Sequence, residues 1–219
     1  MTKAVSVIIL LFSFFILIKC ATRGHPSGGP EDKIPPEIIS TFPTIDSLGV
    51  EDLDEIIITF SERMDESSVK KALFISPPLE YELDWSGGDE LTLQLTSDTL
   101  QKDQTYVITI GADAKDSRRN RLKESFQFAF SSGDILDRGQ ISGTVYGVDK
   151  KEVLYVFAYS ISPKDTIDPR YKKARFLTQT GKDGIFNLNY LPIGEYRIYV
   201  VQDQNKNLIL DAAYEKVGI

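Results

Sequence analysis

Five oxygen-bearing side chains toward the C-terminal end, Asp203, Asn205, Asn207, Asp211 and Glu215, have the spacing in this 219-residue chain that best suits a metal ion. Alternate Asp and Asn residues on a tight loop can turn hard oxygens toward one point, as Ca²⁺ requires to collect about six to eight ligands. A helix-flanked calcium loop wants Gly at its sixth position and Glu at its twelfth, where Leu208 and Tyr214 stand. The competing reading is a polar turn whose Asp and Asn side chains bond nearby backbone. Ca²⁺ is the cofactor this loop would take; the sequence calls for no other.

Bond-making chemistry has little to work with. His25 is the sole histidine, and it lies between Gly24 and Pro26 in a stretch with no hydrophobic period. A general base must be held in geometry by its neighbours, so a Ser-His-Asp triad or a multi-histidine zinc site is excluded by inventory. Asp and Glu are scattered with no pair singled out for acid-base work. The expectation is no catalytic residue and no enzyme. Trp85 falls on the same strand face as Tyr81 and Leu83, which favours core packing over a sugar-stacking platform.

Cys20, the only cysteine, is placed by what precedes it. Lys3 is followed by an apolar run from Ala4 to Ile18, the pattern of a secretory signal and shorter than the roughly 20 residues of a spanning helix. Leu17-Ile18-Lys19-Cys20 resembles the lipobox of bacterial lipoproteins, with Lys19 where a small residue is usual. The resemblance implies a signal peptide over residues 1–19, lipidation of Cys20, and attachment to the membrane through the N-terminal lipid. An uncleaved apolar anchor is the alternative. Residues 20–33 then form a Gly- and Pro-rich tether. Ala21 after the cysteine favours the outer membrane.

Removing residues 1–19 takes Lys3 and Lys19 and leaves 23 basic against 32 acidic residues, moving the formal charge from −7 to −9. Nucleic acid is excluded as a partner, because tracking phosphates needs a local basic patch. The short clusters Arg118-Arg119-Arg121 and Arg170–Lys173 with Arg175 read as solvated loops. With no possible internal disulfide, stability must come from core burial.

Period-two alternation supplies that core. Ile56, Ile58 and Phe60; Leu91, Leu93 and Leu95; Tyr106, Ile108 and Ile110; and Phe126, Phe128 and Phe130 each put apolar groups on one strand face, with Thr92, Gln94, Thr109 and Gln127 on the other. Ser86-Gly87-Gly88-Asp89 marks a hairpin turn, and residues 65–73 a short capped helical crossing. Further strands are expected over residues 141–146, 153–159, 176–180, 185–190 and 196–201. The fold class is all-β: two tandem antiparallel β-sandwich domains after the signal and tether.

Residues 34–134 resemble the bacterial Ig-like domain of the S-layer type. The residues that carry this are Pro35-Pro36, Phe42-Pro43, Phe60-Ser61-Glu62 with Met64-Asp65, Leu100 with Thr105-Tyr106, Asp116 with Asn120, and Phe130-Ser131-Ser132-Gly133. Arg119 stands where the family has Gly, with Asn120 available to take the left-handed turn. The family likeness implies that Tyr106 is a corner tyrosine whose hydroxyl ties to backbone. Residues 139–219 resemble the transthyretin-like or carboxypeptidase-regulatory-like domain through Gly143-Thr144-Val145, Thr180, Gly184, Phe186, Leu191, Gly194 and Tyr196. Gly184 and Gly194 are expected to permit turns. The combination resembles Ig-like lipoproteins of Gram-negative envelopes, implying a structural or adhesive binding module whose partner is an envelope protein or glycan. A carbohydrate-binding accessory module and a non-catalytic subunit of an envelope enzyme or assembly stay open beside it.

Overall fold

A computed structural model describes residues 30–96, 100–147, 152–162, 167–181 and 183–218. The expected signal peptide, Cys20 and nearly all of the tether lie outside the described residues. Among the described residues no helix is long and apolar enough to cross a membrane. Lys33–Ile219 forms one compact unit.

The chain is all-β, as the alternation requires. β1 (Ile38–Phe42), β2 (Glu55–Phe60), β4 (Tyr81–Ser86) and β5 (Glu90–Leu95) form an antiparallel sheet in the order β1-β2-β5-β4. β3 (Leu73–Ser76), β6 (Thr105–Ile110) and β7 (Phe126–Ser131) form the opposing sheet in the order β3-β6-β7. Ile56, Ile58, Phe60, Leu91, Leu93, Tyr106, Ile108, Ile110, Phe128 and Phe130 are all buried between them. Trp85 packs on this core, stacked on Phe60 with ring centroids 6.0 Å apart.

The crossing between the sheets is α1 (Glu66–Ala72), capped by Asp65, whose carboxylate accepts the Ser68 N–H at 3.1 Å. Its amphipathic spacing buries Val69 and Ala72. Tyr106 behaves as a corner residue: its hydroxyl accepts the Gln101 N–H at 2.7 Å.

A second strand series follows: β8 (Gly139–Thr144), β9 (Tyr155–Ile161), β10 (Phe176–Gln179), β11 (Ile185–Leu191), β12 (Glu195–Val201) and β13 (Val217–Gly218). Sheet β10-β9-β12-β13 faces the β11-β8 pair across a core of Val156, Ala158, Phe176, Leu188 and Leu191. β8 ends at Thr144, so Tyr146 stands outside it and exposed.

Two expectations are corrected. Thr109 and Gln127 do not face solvent: Thr109 is 3% exposed, and all six residues of β6 are buried. The second strand series covers that outer face, where Val107, Ala129 and Leu136 meet Tyr190. An alternating strand loses its polar face to solvent only while nothing packs there. The tight turn near Asn120 is made by Arg119, which itself takes φ 75°.

Candidate functional site

The Asp203–Glu215 loop follows β12, and hydrogen bonds tie its five expected side chains to its own backbone or to Asp211. Asp203 is 5% exposed; its carboxylate accepts the N–H groups of Asn207 at 3.3 Å and Leu208 at 2.9 Å. Asn205 Oδ1 accepts the Asn207 N–H, and Asn207 Oδ1 the Ile209 N–H, at 3.0 and 2.9 Å. Both carboxamides then donate to Asp211 Oδ2, at 2.7 and 2.8 Å. The Glu215 carboxylate is 7% exposed and accepts from Gln204 N–H and Asp211 N–H.

Electrostatics follow from these bonds. Burial pushes the Asp203 carboxyl up, opposed by the backbone donors, whereas the Asn205 and Tyr214 hydrogen bonds hold Asp211 below the ordinary carboxylate range. The Asn oxygens are turned to backbone and their N–H₂ groups face the carboxylate, so as built the side chains satisfy one another rather than a cation. Among the described residues no three His, Cys, Asp or Glu side chains converge as a metal cage would require. Calcium and chelator are therefore expected to leave the melting temperature unchanged. A calcium-dependent rise would show that both carboxamides turn over to present oxygen.

A feature that sequence reasoning missed is the seam between the two strand series. Ser125 Oγ donates to Gln179 C=O and accepts the Gln179 N–H, both at 3.1 Å, and accepts Ala112 N–H at 3.3 Å. Gln179 Oε1 accepts the Asp113 N–H at 3.0 Å. Asp113 in turn pairs with Lys206 at 3.0 Å and Arg121 at 3.5 Å. Farther along, Gln127 Oε1 accepts the Asn189 N–H at 3.0 Å. The partners that cross between the two strand series lie 54 to 93 positions apart in sequence, so no local pattern announces them.

Beside this seam lies a cleft of about 550 Å³. Leu73–Ser76 line one wall and residues 173–177 the other. Lys173 and Arg175, which the sequence presents as a solvated basic loop, stand on its rim with exposed side chains.

Burial also sets tyrosine ionisation. Burial, then a hydrogen bond to Asp46, raises Tyr190 from 10.0 to about 12; burial, then Tyr199 and Asp168, raises Tyr159 to about 12. A phenol whose folded value lies above its unfolded one stabilises the fold below about pH 10, and this contribution is lost as pH rises toward 12. Alkaline titration followed by tyrosinate absorbance should show the ionisations of Tyr159 and Tyr190 near 12 coinciding with falling stability, with Tyr155, raised further by burial, later still. Completion of every ionisation near 10 in folded protein would contradict it.

Residues 32–132 match the bacterial Ig-like domain family, which points to a structural module of an extracellular or cell-envelope protein. No curated protein matches the chain. Among solved structures, the LD transpeptidase LdtMt1 in complex with imipenem is 14% identical, covering 48% of this chain and 43% of its own at a TM-score of 0.33. The N-terminal part of the bacterial S-layer protein SbsC is 15% identical, covering 71% and 44% at 0.34. Native alpha-2-macroglobulin from Escherichia coli is 12% identical, covering 76% and 65% at 0.34. The chain spans less than half the length of the first two. At such scores no activity transfers from any of them.

Proposed function

We propose that this chain is a non-catalytic, lipid-anchored module of a bacterial cell envelope, probing or bracing its surroundings through two joined β-sandwiches, the second of transthyretin-like type. Acyl chains on Cys20 hold it at the outer membrane, since several chains anchor firmly where a single one binds marginally. The observation that carries this reading is the Ig-like match over residues 32–132, immediately after the tether. It agrees with a molecule whose conspicuous polar groups, Ser125, Gln179 and Gln127, are spent on joining strands. The Asp203–Glu215 loop acts as a self-bonded turn within the second sandwich.

A glycan-binding role gains no support from the surface. The aromatics more than half exposed among the described residues, Phe42, Tyr146, Tyr171 and Tyr214, sit at a strand end or on loops rather than in a row on one sheet.

Metabolic labelling with a fatty acid tests the anchor. Wild type should carry label and sediment with outer membranes; Cys20→Ser should lose the label and precursor processing. Label retained on Cys20→Ser, or absent from wild type, would overturn the lipoprotein reading in favour of an uncleaved apolar anchor.

A further inference from the structure

β3 and β10 are end strands of their sheets, and the cleft lies between them. On each wall consecutive residues line it, although successive side chains of a strand point to opposite faces. Consecutive lining means that the strand edges, with their backbone groups, face the opening.

Register shows which groups these are. Gly111 N–H donates to Ala72 C=O, which makes that opposite pair a hydrogen-bonded one; pairs 74–109 and 76–107 follow at alternate positions. The backbone of Ile75 therefore points outward. Thr180 N–H donates to Leu154 C=O, so Thr178 and Phe176 bond β9 while Gln179, Leu177 and Arg175 point outward. Gln179 confirms the phase, because both its outward groups are taken by Ser125 of the first sandwich. Beyond that bridge the cleft lies between the two edges. Leu177, 8% exposed, and Ile75 have no further backbone bond to another described strand. Backbone groups so shielded seldom stay unpaired.

We propose that this cleft receives an extended segment of a partner protein by strand addition, continuing sheet β7-β6-β3 on one side and sheet β10-β9-β12-β13 on the other. Apolar side chains of the guest lie against Phe74, Leu79 and Leu177, and an acidic residue reaches the rim at Lys173 and Arg175. Main-chain hydrogen bonds supply affinity in this mode and the flanking pockets supply selectivity. A cleft of this volume is within the range of about 300–1,000 Å³ that ligand sites occupy. Lys173 makes no ion pair among the described residues, so its charge is available to a guest. This deepens the binding-module reading and rests on it only for the existence of a partner.

The probe is a short synthetic peptide of alternating valine and threonine with glutamate at both ends, added to the full chain and followed by backbone amide exchange. Protection should rise about tenfold at Ile75 and Leu177. A version with proline at alternate positions should give none, because proline cannot donate to a ladder. Lys173→Glu should weaken the glutamate peptide about fivefold and strengthen a lysine-ended one by a similar factor. Four outcomes would overturn the proposal. These are no protection, equal protection by the proline peptide, binding confined to a single-chain fatty acid, or protection that grows with protein concentration without peptide, which would make the occupant a second copy. None of these bears on fatty-acid labelling of Cys20, so the two readings fail separately.

Discussion

Replacing Asp116 with alanine is expected to lower the melting temperature by about 6–12 °C, corresponding to a loss of about 3 kcal/mol. Asp116 is fully buried in the loop joining β6 to β7. One carboxylate oxygen accepts the N–H groups of Arg118 and Asn120, both at 2.8 Å, and the other accepts the Asn120 carboxamide at 2.7 Å. Alanine deletes the acceptor and leaves these donors in a place where water reaches them poorly, and each such orphan costs about 1–3 kcal/mol. The damage spreads because the same loop fastens α1: Lys115 C=O accepts the Asp65 N–H at 2.9 Å, and Lys115 N–H donates to Ser68 Oγ at 2.9 Å. Asp116→Asn should retain most of the stability, since one amide oxygen can keep both backbone donors while Asn120 turns its carboxamide over. Equal melting temperatures for wild type and Asp116→Ala, by calorimetry, would remove this carboxylate from the framework.

Asp116 also shows what the chain discloses before folding. Its pairing with Asn120 is local, four positions apart, and so could be read from the residues. The alternation of Ile56, Ile58 and Phe60 and the Asp65 cap were legible for the same reason, because period and cap are written within one or two elements, whereas the Tyr106 corner was implied by the family likeness. The outer face of β6 was not. Thr109 and Gln127 are what a solvent-facing strand would carry, and only the distant residues Asn189 and Tyr190 make them interior. The rim cations Lys173 and Arg175 were likewise indistinguishable from a soluble loop until β3 was laid opposite them. In the Asp203–Glu215 loop the oxygen-bearing side chains are visible in the sequence, but which way each carboxamide turns is decided by backbone donors such as Asn207 N–H and Ile209 N–H. Whether oxygen or nitrogen faces Asp211 is not a property of spacing.

The sharpest separation between pattern and structure concerns two glycines that serve the same expected role. Gly184 has φ +75°, and a Cβ there would stand 2.3 Å from the Val145 carbonyl oxygen. That carbonyl belongs to the chain leaving β8, and Gly184 C=O accepts the Val145 N–H at 2.9 Å, so neither side can withdraw without opening the β8–β11 pair. Gly184→Ala therefore combines left-handed strain, about 1–2 kcal/mol, with a backbone clash, for an expected total of about 3–4 kcal/mol. Gly194 is exposed, its φ is not in the left-handed region, and the nearest atom to its Cβ would be Tyr196 Cε2 at 3.9 Å. Gly194→Ala should leave stability unchanged or raise it by about 0.4–1 kcal/mol, by narrowing the unfolded ensemble. Denaturant unfolding of the two variants side by side tests the assignment. Similar losses at both positions would mean that the turn before β12 needs its glycine after all, and similar tolerance at both would mean that the β8–β11 pair is not held at Gly184.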